Sequence, residues 1–503
     1  MAGLLDAGVR PGDAVAVLAA DPALVAPAVQ AVWLAGGSVT MLHQPTPRTD
    51  LAVWVRDTVA VLGMIGSRLV LLGEEFEPLS GLLDEHRIPS RPLAGLAVPA
   101  ASPAAPVEVG EDATALLQLT SGSTAVPKAV RITHGNLNAN LQAMARTARL
   151  TAESDVMVSW LPLFHDMGMV GFLTLPMALG LELVKTTPVE FLRAPLLWPD
   201  LISRYRGTVT AAPNFAYAMA ARRLATTDNA YDLSTLRLAL NGAEPIDPGV
   251  AMAFTEAASR FGMPAGSMVC AYGMAEATLA VSFPPPGDGL SVDDVDPEQL
   301  EAHRRASPST GGGSRSFPLL GPPLPDIEVR VVGRDGLVLG TREVGLLQVR
   351  GDSVTPGYLT VDGPVPTRDA DGWLNTGDEG YLVEDGQVVV CGRVKDVIIM
   401  GGRNIYPTDI ERAAATVDGV RAGNVVAVRL DAGDRRETFA VAVESRLAGD
   451  PDTERGIRNQ VVARVVDAVG VRPVKVVVLP PGTLPKTPSG KLRRTATRPL
   501  VDP

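Results

Sequence analysis

The stretch Leu117-Gln118-Leu119-Thr120-Ser121-Gly122-Ser123-Thr124-Ala125-Val126-Pro127-Lys128 sets four hydroxyls and a lysine around one small-residue turn. Those residue types suit a chain of phosphates, because backbone N–H groups and hydroxyls donate to anionic oxygens and the lysine adds positive charge. The run is not a Walker A loop. Counting from Gly122, the sixth position is Pro127 where that motif needs glycine, and Ala129 stands where Ser or Thr would meet Mg2+.

Five further constellations carry reactive groups. Leu163-Phe164-His165-Asp166-Met167-Gly168 sets an imidazole, which can gate or orient a carboxylate, beside an acid. In Asn241-Gly242-Ala243-Glu244-Pro245 the missing Cβ of Gly242 lets the backbone approach a flat heterocycle. Tyr272-Gly273-Met274-Ala275-Glu276 combines an aromatic face for stacking with a carboxylate suited to a hard cation. Asn375-Thr376-Gly377-Asp378 presents a carboxylate that can accept from the vicinal hydroxyls of a ribose. Near the end, Leu484-Pro485-Lys486-Thr487-Pro488-Ser489-Gly490-Lys491 holds two lysines on a restricted backbone. Taken singly, each admits a plainer reading: a surface turn, a satisfied loop histidine, a strand-end turn, a core aromatic with a surface acid, a turn aspartate, a solvated basic tail.

The elements that must position these groups follow from the apolar pattern. Ala115–Leu119 and Ala129–Ile132 read as strands flanking the phosphate-binding turn. Strands are expected at 14–18, 38–42, 156–160, 208–211, 236–240 and 268–271, alternating with helices, and Asp21 before Pro22 marks a helix start. That alternation predicts an α/β fold with a mainly parallel sheet, whose ligands gather beyond the carboxyl ends of the strands. The apolar run Met167–Leu181 contains Pro176, is too short to span a bilayer, and reads as a buried helix. The Ala- and Pro-rich segment 97–109 reads as a linker. From Glu328 onward, short strands between glycine turns suggest an antiparallel or barrel-like piece. After Gly392 a compact α+β unit is expected. Its first helix is opened by the capping-box spacing Thr408-Asp409-Ile410-Glu411.

A chain of 503 residues needs at least two domains, and the boundary is placed at 1–392 and 393–503. The net charge of −11 argues against nucleic acid as a main partner. Cys270 and Cys391 cannot make a disulfide framework, and Asp6 and Arg10 interrupt any secretory leader, so a cytoplasmic protein is expected.

Together, in this order, the constellations resemble the adenylate-forming enzymes: acyl-CoA synthetases, nonribosomal adenylation domains and luciferases. The resemblance implies a large N-terminal domain of α/β subdomains with a small β-barrel-like subdomain, then a small mobile C-terminal lid. It implies ATP and Mg2+ as cofactors. It assigns Thr120, Ser121, Gly122, Ser123, Thr124 and Lys128 to the phosphate loop. Gly242, Ala243, Glu244, Tyr272 and Gly273 go to the adenine, Asp378 and Arg393 to the ribose, Glu276 with Thr120 to Mg2+, and Lys395 to the hinge. His165, Glu276 and Lys491 are implied as catalytic, with Lys491 bridging the carboxylate and the α-phosphate. Pro213, Asn214 and Phe215 are implied to line an apolar tunnel with the 169–179 stretch.

Within that family, Ser159–Gly168 and Tyr272–Ala277 look like fatty acyl-AMP ligases, in which Ala275 replaces the Thr of most acyl-CoA synthetases. The segment Val292–Phe317 matches the insertion thought to hinder the rotation that lets CoA react. The implied acceptor is therefore the phosphopantetheine of an acyl carrier protein. The alternatives are a fatty acyl-CoA ligase, and an inactive relative that binds AMP or acyl groups. Two departures stand against the resemblance. Ala125 and Ala129 replace glycines common in the phosphate loop, and Met1-Ala2-Gly3-Leu4-Leu5 reads as an internal helix, with about fifty early residues of the family's pattern missing and a sheet edge thereby open.

Overall fold

A computed structural model describes residues 1–45, 49–96, 105–120, 127–309, 313–432, 436–487 and 491–502. Ser121–Thr124 of the expected phosphate loop, Pro488–Gly490 before Lys491 and most of the expected linker lie outside the described residues. The chain divides into two compact units. The first comprises Met1–Ser291, Leu320–Val329 and Val349–Leu374; the second comprises Val292–Leu319, Arg330–Gln348 and Asn375–Pro503. This division does not follow the 392/393 boundary, because the insertion and part of the glycine-punctuated strands fall in the second unit.

The first unit holds two large sheets. In the eight-stranded sheet Thr114–Leu119 lies beside Ser38–Met41, followed by Ala14–Leu18, Ser67–Leu72 and Ser90–Pro92, all parallel. On its other side Lys128–Thr133 turns back antiparallel, and the hairpin Gly357–Thr360 and Gly363–Pro366 extends the sheet. The turn expected to hold phosphate therefore joins a parallel strand to an antiparallel one. The second sheet is parallel throughout, in the order Met268–Cys270, Leu238–Asn241, Val209–Ala212, Val156–Ser159, Glu182–Lys185. Its first four strands are largely apolar and buried, as strands covered on both faces require, while the edge strand Glu182–Lys185 is exposed or half-buried. Asp21 accepts from the Ala23 N–H with Pro22 at the first helical position, so that helix starts where the sequence placed it.

Two local expectations are refined: the Met167–Leu181 run is buried and helical as expected but is not one regular helix, and an expected cap is not made. The Met167–Leu181 run is a wide π-helical segment, Met167–Thr174, broken at Phe172 and followed by a short α-helix, Leu175–Leu179. Thr174 Oγ1 donates to the Met169 carbonyl at 2.9 Å, taking a backbone acceptor within the wide turn. A Cβ on Gly168 would sit 2.1 Å from the Pro162 carbonyl oxygen, so only glycine lets the segment pack this close to the preceding loop. The expected capping box is the one that is not made. The helix is Pro407–Ala415 with Tyr406 at its N-cap and no side-chain cap, so Thr408 lies inside the first turn. Pro407, with φ already set and no N–H to satisfy, fixes the start ahead of the hydroxyl.

A four-stranded sheet runs in the order Ile327–Val332, Gly345–Gly351, Leu374–Leu382, Val388–Arg393, its first two strands each divided between the two units. A three-stranded sheet, Val420–Ala432, Arg436–Ser445 and Lys475–Leu479, packs with the helices Pro407–Ala415 and Pro451–Val469 around Ile410, Phe439, Val441, Val461 and Val465. The segment Val292–Leu319 contributes a strand pair, Val292–Val295 with Arg315–Pro318, and the helix Pro297–His303. Among the described residues, no helix is long and apolar enough to cross a membrane.

Candidate active site

On the phosphate side, the Thr120 N–H reaches the Lys128 carbonyl at 3.4 Å and closes the neck of the turn. Thr120 Oγ1 is shut off from solvent and has no partner among the described residues. Lys128 Nζ sits 3.8 Å from the centre of the Tyr358 ring, and the Tyr358 hydroxyl donates to Glu276 Oε1 at 2.6 Å. Thr120, Lys128 and Glu276 are thus drawn together, with Tyr358, which the sequence reading did not single out, between the last two. Glu276 rides on a tight turn after Tyr272–Gly273, where a Cβ on Gly273 would lie 2.2 Å from the Leu279 carbonyl oxygen. Thr278 in that turn is β-branched yet holds φ +70°, a strained conformation. The neighbouring segment braces it: the Thr355 N–H donates to the Glu276 carbonyl at 2.8 Å, and Thr278 Oγ1 donates to the Ser353 carbonyl at 2.7 Å.

The strand Leu238–Asn241 ends in the turn expected at the adenine. Ala243 adopts φ +69°, and Glu244 Oε1 accepts from the Phe215 N–H at 2.7 Å. Asn241 Nδ2 donates to Asn214 Oδ1 at 3.1 Å, while Asn241 Oδ1 is buried without a partner among the described residues. The turn expected at the adenine is therefore bonded to Asn214 and Phe215, two of the three residues expected to line the tunnel. Trp160 faces Phe215 edge-on, with ring centroids 6.3 Å apart, and stacks on Phe191 at 3.9 Å.

The loop after Val156–Ser159 is fastened at both ends. Gln118 Nε2, at the end of the phosphate-side strand, donates to the Phe164 carbonyl at 2.9 Å. Lys185 Nζ donates to the Leu161 carbonyl at 2.6 Å, and burial lowers its pKa to about 7. His165 Nδ1 lies 2.6 Å from Asp166 Oδ1. His43 meets the Phe164 ring edge-on at 5.4 Å; burial first, and then the charge of His165, lowers its pKa to about 4.

In the second unit, Asp378 and Arg393 are register partners on adjacent strands, and Arg393 Nε lies 2.7 Å from Asp378 Oδ1. Asp378 is buried and Arg393 half exposed. Gly377 holds φ +73°, which lets the chain turn into the aspartate. Lys395 lies in the short 3-10 turn Val394–Asp396 directly after this pair. The Lys491 N–H donates to Thr487 Oγ1 at 3.0 Å, and the Thr487 N–H donates to the Lys491 carbonyl at 2.7 Å. This ties the ends of the lysine loop together.

The family model described as AMP-binding enzyme matches residues 1–359. The chain belongs to the AMP-binding enzyme family. A second model, AMP-binding enzyme C-terminal domain, matches residues 402–498. The chain is 56% identical to a Mycobacterium tuberculosis protein named "Putative ligase Rv1013", covering 99% of this chain and 92% of that protein. It is 34% identical to the long-chain-fatty-acid--AMP ligase FadD28 of M. tuberculosis over 76% of this chain and 69% of that one. A solved structure from a study of fatty acyl-adenylate ligases of E. coli and L. pneumophila superposes with a TM-score of 0.89 at 32% identity, covering 99% of this chain and 89% of that one. The protein is an adenylate-forming ligase, with the α/β fold, large N-terminal domain and small C-terminal domain of that superfamily.

As an AMP-binding enzyme, the chain carries more site residues than its motifs announce. Tyr358, Lys185 and His43 hold or adjoin motif residues but belong to no motif themselves, and Gln118 lies in the strand that leads into the phosphate-binding turn. Three of them, His43, Gln118 and Lys185, sit at or just past the ends of strands, a position that could have drawn attention to them. Tyr358 had no such signal.

Proposed function

We propose that this AMP-binding enzyme uses ATP and Mg2+ to convert a fatty acid to its acyl adenylate and passes the acyl group to the phosphopantetheine thiol of an acyl carrier protein. The observation that carries the reading is the gathering of Thr120, Lys128 and Glu276 at the neck of the phosphate turn. The donor set fits a hard cation. A buried hydroxyl without a described partner and one carboxylate leave the remaining positions to phosphate oxygens and water, the usual way Mg2+ is held. Thr120 and Glu276 would hold it, and when bound it shields charge on the departing pyrophosphate.

The chemistry asks the chain to place two anions in contact. A carboxylate oxygen bonds to the α-phosphorus, and the bond from that phosphorus to the pyrophosphate oxygen breaks. Negative charge gathers where they meet, so a lysine there stabilises the transition state more than the ground state; Lys491 takes that role. Lys128 binds the phosphates, Asp378 the ribose hydroxyls with Arg393 fixing its carboxylate, and the Gly242–Glu244 turn with Tyr272 frames the adenine. His165 orients the incoming carboxylate at the mouth of a tunnel lined by Pro213–Phe215. In the second half-reaction the thiol sulfur attacks the acyl carbonyl and AMP leaves, the thiol proton passing to solvent. Lys395 is the hinge between residues 1–392 and 393–503 for that step.

Two features favour a carrier-protein thiol over CoA: Ala275, and the insertion anchored within the second unit. In that unit Glu301 pairs with Arg403 at 2.5 Å and Arg315 with Asp409 at 2.9 Å. Incubation with labelled fatty acid and ATP should yield acyl-AMP, with little acyl-CoA when CoA is added. Lys491→Ala should abolish fatty-acid-dependent pyrophosphate exchange while changing stability by less than about 0.5 kcal/mol, since a loop lysine packs few neighbours. Exchange at background with every fatty acid tried would overturn the proposal.

A further inference from the structure

Lys128 and Glu276 have opposite charges and meet one aromatic side chain at different points, its face and its hydroxyl. The ammonium sits on the ring face at 3.8 Å, and the carboxylate is bonded to the ring's hydroxyl at 2.6 Å. Without that side chain between them, a lysine and a glutamate held by the same residue could pair directly, each satisfying the other. Paired, the glutamate would have less to offer a cation and the lysine less to offer a phosphate. The ring also cannot drift. Tyr358 pairs with Val130 across the sheet, and the segment it belongs to is bonded to the Glu276 turn at Thr355 and Ser353. Asn136 Nδ2 adds bonds to the Asp352 and Val354 carbonyls at 2.5 and 3.1 Å.

We propose that Tyr358 is a positioning residue that keeps the lysine and the carboxylate apart: its hydroxyl aims Glu276 at the divalent cation, and its ring holds Lys128 ready for the phosphates. This rests on the functional reading above, and it gives the two ends of the side chain separable effects.

The test is calorimetric ATP binding to the full chain, without fatty acid, in Mg2+ and in EDTA. For the wild type, Mg2+ should tighten ATP binding. Tyr358→Phe keeps the ring and removes the donor. It should shrink that Mg2+ enhancement about tenfold or abolish it, in line with the loss seen when a partner of a metal ligand is removed, while ATP binding in EDTA stays unchanged. In a Glu276→Gln background the same substitution should add nothing, because its effect runs through that carboxylate. Tyr358→Leu removes the spacer and should weaken ATP binding in EDTA as well. Circular dichroism confirms that each variant is folded, and Tyr358→Phe, which preserves packing, decides the matter if Tyr358→Leu does not fold. A Tyr358→Phe enzyme with the wild-type Mg2+ enhancement, or one whose loss persists undiminished in Glu276→Gln, overturns the role of the hydroxyl. Wild-type ATP binding in EDTA by a folded Tyr358→Leu overturns the role of the ring. A wild type that binds no ATP in either condition overturns the functional reading itself, and this proposal with it.

Discussion

At Thr120 the fold closes a hydroxyl away from solvent and gives it no bond among the described residues. An unmade bond of this type costs about 1–3 kcal/mol, so the site holds it against stability. Thr120→Val should therefore unfold at an equal or higher denaturant concentration, while pyrophosphate exchange falls at least about tenfold, a loss on the scale of one charge-assisted contact. Lys185 shows the same tension in its titration. Burial lowers its pKa to about 7 in the folded protein, against about 10.5 for a free lysine. Between those values the unfolded chain binds the extra proton, so stability rises with pH from 7 to 10.5 and the penalty is fully present below 7. Lys185→Met should flatten that rise in chemical denaturation followed across the window. The groups proposed to do chemistry were legible because each stands in a short motif. Their supports were not: Tyr358 is 82 residues from Glu276, Gln118 is 46 from Phe164, and Lys185 is 24 from Leu161. No local period links residues so far apart, and a lone Tyr or Gln in a strand has no signature to distinguish it from packing.

Among the elements, strands and helix starts that depend on neighbouring residues were readable, as at Asp21 and Pro22. Those decided by packing against distant chain were not. The Met167–Leu181 run is buried and helical as its composition suggests, but its wide π turn and its close approach to the preceding loop at Gly168 have no signature in that composition. At Pro407 two local signals competed, and ring geometry prevailed over the hydroxyl of Thr408. The segment Val292–Phe317 was expected only as an insertion that hinders a rotation, and its helix Pro297–His303 delivers Glu301, whose side chain is 6% exposed, to Arg403. Burial raises the Glu301 carboxyl above its usual range, and Arg403 opposes that rise. Arg403→Ala should lower unfolding free energy by about 2–3 kcal/mol, less than for a fully enclosed pair because the arginine remains partly open to water. Glu301→Gln combined with Arg403→Met should cost less than Arg403→Ala alone, as equilibrium denaturation of the three variants would show.

On the scale of the whole molecule, the two units are not two halves of the chain. The polypeptide passes from one to the other at 291/292, 319/320, 329/330, 348/349 and 374/375. The composition shift after Gly392 signalled a separate α+β piece, and the three-stranded sheet with its two helices answers to it. Nothing in that composition revealed that the segment Val292–Leu319 completes the same compact unit. Glu379 illustrates the gap: it receives Arg304 from the insertion at 2.5 Å and the Tyr406 hydroxyl at 2.8 Å, ionic and polar contacts that hydrophobic patterning does not encode.

This dispersal bears on any attempt to handle the C-terminal piece in isolation. A polypeptide cut at residue 393 would keep Asp409 and Arg403 but lose Arg315 and Glu301, so each of these groups would give up an ion-pair partner, Asp409 keeping only Arg412 among the cations that lower its pKa. Such a fragment should melt well below the corresponding transition of the intact chain, and adding 292–319 as a separate peptide should raise its melting temperature. Interface mapping or carrier-protein docking performed on the bare fragment would then report on a destabilised surface that the intact enzyme does not present.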